Sequence, residues 1–157
     1  MKTWTRSAWV VAALTVGATG LSAQGTAQAV RLEGAALLLS ETPADLGRAA
    51  DLYREAAALR PSGDPIAVKN LIQAARFSFY SGKHDRALRD FAAAAESALR
   101  IGDMVAAAES FIDAAWVAQQ SHDGTQALRY ATRAREVTAS PFIRDADRAR
   151  LLGRMAG

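Results

Sequence analysis

Two stretches of the chain share one spacing of residues. Residues 81–91 read SGKHDRALRDF, and residues 101–111 read IGDMVAAAESF. Each contains glycine, then alanine five positions later and phenylalanine four positions after that: Gly82, Ala87 and Phe91, then Gly102, Ala107 and Phe111. The same order of a flexible, a small and a large aromatic residue recurs after twenty residues, which indicates a repeated unit of structure.

Each copy is typical of a tight turn followed by an amphipathic helix. Gly82 and Gly102 can adopt the left-handed conformation that ends a preceding helix. Alanine allows a neighbouring helix to pass close by. The phenylalanine, one turn further along on the same face, fills the space beyond the crossing. A helix of about 17 residues and a short turn account for the offset of twenty.

The rest of the chain also favours helices, because apolar residues recur at intervals of three and four and no stretch alternates over the length of a strand. Thr42-Pro43, Asp64-Pro65 and Ser140-Pro141 each predict a helix start with a capping residue before a proline. Asp103 and Asp123 are further predicted caps. These signals predict seven helices, at 28–40, 43–60, 65–81, 84–100, 103–120, 124–138 and 141–155. The short connections make consecutive helices antiparallel.

The helix pairs themselves repeat at intervals of 38–40 residues. Residues 49–61 (AADLYREAAALRP) and 71–96 (LIQAARFSFYSGKHDRALRDFAAAAE) resemble tetratricopeptide repeats. The third repeat departs from that family in having Ala131 where an aromatic residue is expected. The resemblance implies an all-α, short right-handed solenoid, with three helix pairs over 28–138 and a capping helix at 141–155. An alanine-rich up-and-down bundle is the alternative.

The N-terminus has the features of a secretory signal peptide. Lys2 and Arg6 precede an uncharged run, and small residues allow cleavage after Ala23 or, alternatively, after Ala29. We therefore predict that residues 1–23 are removed and that the protein is exported, to a bacterial periplasm or outside the cell. Loss of Lys2 and Arg6 lowers Lys+Arg from 19 to 17 against 16 Asp+Glu, so charge gives no reason to expect nucleic acid as a partner. No stable membrane insertion is expected after cleavage.

Few residues suggest chemistry. With no cysteine and only two histidines, the sequence offers neither disulfides nor a predicted metal site. We interpret His84 and His122 as turn residues, and Glu109 with Asp113 as a solvated helix face. We predict neither an enzyme nor a cofactor. In the last helix, the residues predicted to face inward are Phe142, Ala146, Ala149 and Leu152, with Asp145–Arg148 and Asp147–Arg150 pairs outside.

A binding surface is the remaining prediction. The resemblance implies a concave groove formed by the first helices of the pairs, which binds a protein or peptide segment. Carried over position by position, the groove residues are Lys69, Arg76, Phe79, Tyr80, Trp116 and Gln119. Aromatic residues with arginine are typical of interface hot spots. The predicted function is a non-catalytic exported scaffold, with a homodimer left open. The alternative is a helical bundle that binds an apolar small molecule in an internal pocket.

Overall fold

The computed structural model describes residues 7–156, with side chains from Ala23 onward. This part of the chain is all-α and contains no strand, as the sequence predicts. One 3₁₀ helix, Pro43–Asp45, precedes the second α-helix. The α-helices are α1 (Ser7–Leu39), α2 (Leu46–Leu59), α3 (Pro65–Tyr80), α4 (His84–Arg100), α5 (Met104–Gln120), α6 (Gly124–Thr138) and α7 (Asp145–Ala156).

Three successive turns have the same geometry. Gly82 and Gly102 lie in the left-handed region with φ of 76° and 77°, which confirms their predicted role. In each turn the next residue donates its N–H to a carbonyl five residues earlier: Lys83 to Ser78 at 2.8 Å, Asp103 to Ala98 and Asp123 to Ala118 at 2.9 Å. This bond is the signature of the Schellman motif. The third turn places His122 at the position of the glycines, with φ of 58°, a feature that we did not predict.

Three aspartates cap helices as the sequence predicts. The side chains of Asp64, Asp103 and Asp123 accept hydrogen bonds from backbone N–H groups in the first turns of α3, α5 and α6. Such a cap contributes about 1 kcal/mol. The start at Thr42-Pro43 is confirmed in position, with Thr42 as N-cap and Pro43 in the first turn, but the helix that begins there is a 3₁₀ helix and the Thr42 side chain makes no capping bond.

Consecutive helices pack against each other, and side-chain contacts also join helices two apart, so the array has two layers. In the layer of even-numbered helices, Arg54 of α2 binds Asp90 of α4 at 2.6 Å. In the other layer, Asn70 of α3 donates to Glu33 of α1 at 2.6 Å. This is a helical repeat arrangement. The predicted close crossings are confirmed, because Ala87 and Ala107 are fully buried, and Phe91 and Phe111 are 4% and 2% exposed.

The last helix differs from its prediction in start and in register. It begins at Asp145, because residues 139–144 form a turn in which the guanidinium of Arg148 donates to the carbonyls of Thr138, Ser140 and Ile143. Ile143 and Leu151 are the buried residues. The predicted inward-facing set is wrong: all four residues are exposed, namely Phe142, Ala146, Ala149 and Leu152. The two predicted i,i+3 ion pairs are present.

Helix α1 runs without a break from Ser7 through the predicted helix at 28–40. The predicted signal peptide at 1–23 lies outside the described side chains except for Ala23, so its removal stays a prediction. From Gly25 onward α1 packs closely on α2. A Cβ atom at Gly25 would lie 3.1 Å from the carbonyl oxygen of Leu59, and Ala29 is fully buried.

Candidate functional site

A cluster of rings joins α3 to α5. The Phe79 ring packs against Trp116 with centroids 4.7 Å apart. On another side it stacks on His84, at 5.0 Å and an interplanar angle of 14°. Phe79 thereby fills the junction between the two helices, while Trp116 is 47% exposed and Tyr80 is 69% exposed. Exposed aromatic rings on a packed support have the character of interface anchors.

Arg76 and Arg154 frame the cleft beside these rings. This first cleft holds about 430 Å³ and is lined by the rings of Phe79, Tyr80, Phe91 and Trp116 together with Arg76, Asp113 and Arg154. Arg154 of α7 forms a salt bridge with Asp113. Arg76 is exposed and forms no salt bridge with any described residue. Its guanidinium is therefore available to an anionic group of a ligand.

Burial sets the ionisation of Asp113. Removal of its carboxyl from solvent raises the pKa above the usual 3.8, although the charges of Arg154 and Arg76 act in the opposite direction. The carboxylate pair that the sequence places on a solvated face is instead the contact that holds α7, since Arg150 binds Glu109 and Arg154 binds Asp113. That interpretation of the pair is wrong for a physical reason: the helix that covers it comes about forty residues later in the chain.

A second, larger cleft lies between α5, α6 and α7. It holds about 930 Å³. Its apolar lining consists of Ile112, Ala115, Ala127, Leu128, Ala131 and Met155. The side chains of Gln119, Gln120 and His122 add polar groups. Trp116 and Arg154 line both clefts, so the two form one continuous surface along α3, α5 and α7.

The structure brings together most of the predicted groove residues. Arg76, Phe79, Tyr80 and Trp116 meet at the first cleft, and Gln119 joins Trp116 at the second. Lys69 is exposed on α3 but lines neither cleft.

Sequence reasoning did not assign Asp113 and Arg154 to this surface. A usable signal was present, because the acids of Glu109 and Asp113 and the bases of Arg150 and Arg154 have the same four-residue spacing. Two such sets on facing helices can form two parallel ion pairs. Recognising them requires knowing that α5 and α7 are neighbours.

The histidines hold structural positions. Besides stacking on Phe79, His84 places its Nδ1 3.4 Å from the hydroxyl of Ser121. Within residues 7–156, no group of three His, Asp or Glu side chains is arranged to hold a metal ion. None of the helices in the described region is long and apolar enough to cross a membrane.

Comparison with known proteins identifies no family for this chain. No family model, no curated protein and no solved structure matches the chain.

Proposed function

We propose that this protein is an exported, non-catalytic scaffold with a tetratricopeptide-like groove that binds a protein or peptide segment along α3, α5 and α7. The observation that carries the proposal is the continuous surface formed by the two clefts. At its centre, Tyr80 and Trp116 keep much of their ring area in solvent. Their supports, Phe79 and Phe91, are packed beneath them.

The chemistry of this surface fits recognition of a chain segment. Exposed aromatic rings provide large contact areas at low cost in conformational entropy, and arginine and tyrosine are enriched at interface hot spots. Arg76, without a salt bridge in the described structure, can bind a carboxylate of the partner. The carboxylates of Glu109 and Asp113 on α5 are already engaged by arginines and serve to hold α7.

Photo-crosslinking in the native cells tests the proposal. A crosslinking amino acid replaces Tyr80 or Arg76 on the groove side, and Ala93, which is exposed on α4, serves as the matched control. We expect a discrete crosslinked protein from Tyr80 and Arg76 only. Equal crosslinking at all three positions, or none at any, would contradict the assignment of the groove as the working surface.

A second candidate function is binding of an apolar small molecule. It is favoured by one observation, the size and apolar lining of the second cleft. Native mass spectrometry after gentle purification distinguishes the two functions. A stoichiometric lipid or other apolar compound on the protein would support the small-molecule function, and a bare chain that crosslinks through Tyr80 would support the scaffold.

A further inference from the structure

Positions forty residues apart are structurally equivalent in this array. The turn after α3 and the turn after α5 share the same bond, from Lys83 to Ser78 and from Asp123 to Ala118. The left-handed residues Gly82 and His122 are also forty apart. Residues of the α3–α4 pair can therefore be compared directly with those of the α5–α6 pair.

The comparison shows that the junction of α5 with α7 lacks aromatic rings that the junction of α3 with α5 has. Among the rings at the junction of α3 with α5 are those of Phe79, His84 and Phe91, which the α3–α4 pair contributes. Their equivalents at the junction of α5 with α7 are Gln119, Gly124 and Ala131. None of these three has a ring. The cleft is correspondingly about 930 Å³ at the second junction against about 430 Å³ at the first.

Helix α7 does not fill the space that the missing rings leave. Two salt bridges, from Arg150 and Arg154, hold it to α5. Leu151 is its one buried side chain. Leu152 is 51% exposed and lines a different cleft, together with Thr132, Arg135 and Thr138 of α6. The second cleft therefore stays open, with Met155 at one edge.

We infer that this ring-deficient cleft is the specificity pocket of the surface, and that it accepts a large aromatic side chain from a partner segment that also carries a carboxylate. The inference rests on the proposed scaffold function and names the chemistry of its partner. The pocket floor of Ala127, Ala131 and Ile112 is apolar. The methionine sulfur at the edge is a favourable neighbour for an aromatic ring.

Charge complementarity is the reason to expect a carboxylate on the partner segment. Arg76 and Arg154 carry two positive charges on the joined clefts, and Asp113 carries the opposing negative charge there. One positive charge is in excess. Arg154 is paired with Asp113, whereas Arg76 acts on Asp113 through its charge alone and forms no salt bridge with a described residue, so Arg76 is the group that binds the carboxylate of the segment. We expect such a segment to place its aromatic ring in the pocket and its carboxylate on Arg76.

Filling the pocket tests the inference. The variant Ala131→Phe restores the ring that Phe91 provides at the equivalent position, and Ala93→Phe adds the same ring at an exposed site on α4. The probe is 3-phenylpropionate, which carries a ring and a carboxylate. Its binding to the full chain is measured by ligand-observed NMR titration. We expect binding of the probe to weaken at least about tenfold in Ala131→Phe and to be unchanged in Ala93→Phe. Propionate, which has no ring, is expected to show no saturable binding.

Unchanged probe binding in Ala131→Phe would overturn the pocket. If thermal unfolding shows that Ala131→Phe is not folded, the variant Leu128→Glu replaces it. Leu128 is 71% exposed, so the fold tolerates a charge at this position. The introduced carboxylate makes the lining of the pocket polar. The same loss of probe binding is expected for Leu128→Glu, and retention would overturn the inference.

Crosslinking from Tyr80 separates failure of the pocket from failure of the scaffold. We expect the crosslinked partner in the Ala93→Phe variant and its loss in the Ala131→Phe variant. A partner that persists in Ala131→Phe would refute the pocket while the scaffold function stands. Absence of the partner in the unmodified protein would refute the scaffold, and an apolar small molecule that copurifies and is displaced by Ala131→Phe would replace the peptide as occupant.

Discussion

The contact between α3 and α5 in the middle of the array and the contact between α5 and α7 at its C-terminal end are formed by different kinds of residues. Between α3 and α5, aromatic rings fill the junction, and the neighbouring turns use glycine. Between α5 and α7, ion pairs form the contact, the cleft is open, and the turn uses histidine. The apolar contact contributes through burial, whereas partly exposed ion pairs contribute little. The middle should therefore supply most of the stability, and the open cleft at the end is the place that we propose for a ligand.

The sharpest test of this difference is truncation of one side chain to alanine at each junction. Phe91→Ala removes a side chain that is 4% exposed and should lower the free energy of unfolding by about 3–5 kcal/mol. Leu128→Ala, at 71% exposure on the open cleft, should change it by less than about 0.5 kcal/mol. Urea unfolding followed by circular dichroism measures both. Similar losses for the two variants would show that the two junctions do not differ in packing.

The glycine turns can be compared with the histidine turn in the same way. Gly102→Ala should destabilise the protein by about 1 kcal/mol, because the left-handed conformation costs an L-residue about 1–2 kcal/mol and the gain from a less flexible unfolded chain returns only part of it. No atom lies within 4 Å of a Cβ built at Gly102, so the cost is conformational. Thermal and urea unfolding should agree on the loss. An unchanged midpoint would mean that the turn relaxes.

His122→Gly is the reverse experiment at the C-terminal end. Relief of the left-handed strain at φ of 58° should stabilise the protein by about 0.5–1 kcal/mol, after the entropic cost of glycine is subtracted. The exposed His122→Ala variant keeps the strain and serves as the control. If both variants have the same urea midpoint, the histidine side chain, not its backbone conformation, determines the effect.

The smallest expected effect is a pH dependence at the contact of α7. Because burial raises the pKa of Asp113 in the folded state, its contribution is fully present below the unfolded pKa near 3.8 and is lost as pH rises through the folded pKa. Asp113 should thus favour the folded state progressively on acidification from neutral pH. Asp113→Asn should remove that trend, which is measured as the difference in unfolding free energy between variant and parent from pH 7 to pH 4.

The contribution of Asp123 to stability is expected to change with pH in the opposite direction. The backbone N–H of Gln126, followed by its side chain, stabilises the carboxylate and lowers the pKa of Asp123. Its contribution is present above the unfolded pKa and is lost as pH falls through the lowered folded pKa. Asp123→Asn should therefore remove a loss of stability that sets in below about pH 4, so this titration is extended to about pH 2. Equal slopes in the two variants would contradict the assigned environments.

Most of the fold was predictable because its determinants are local. The roles of Gly82 and Asp103 depend on residues within a few positions of each, and the buried stripe around Phe91 follows from helical periodicity. Ser140-Pro141 has the same local features as Asp64-Pro65, yet begins no helix. The difference comes from Arg148, whose bonds to three carbonyls hold the turn, and from burial of Ile143.

The candidate site was predictable in part for the same reason. Arg76 and Tyr80 share a face of α3 through regular helix geometry, and Trp116 follows Arg76 by forty residues, at the equivalent position of α5. The structure places the three together. The sequence shows directly that position 131 has alanine where the repeat pattern predicts an aromatic residue. The consequence of that alanine is not visible in the sequence, because the open cleft depends on the path of α7 and on which side of that helix packs against α5.

The tight contact of α1 with α2 bears on maturation. If a signal peptidase cuts after Ala23, the released chain starts at Gln24 and keeps both Gly25, against the carbonyl of Leu59, and the buried Ala29. If the cut follows Ala29, the released chain loses both contacts and exposes the end of α2. Cleavage after Ala23 would therefore leave the first helix pair intact, and cleavage after Ala29 would shorten it. The mass of the chain isolated from the native cells would distinguish the two sites.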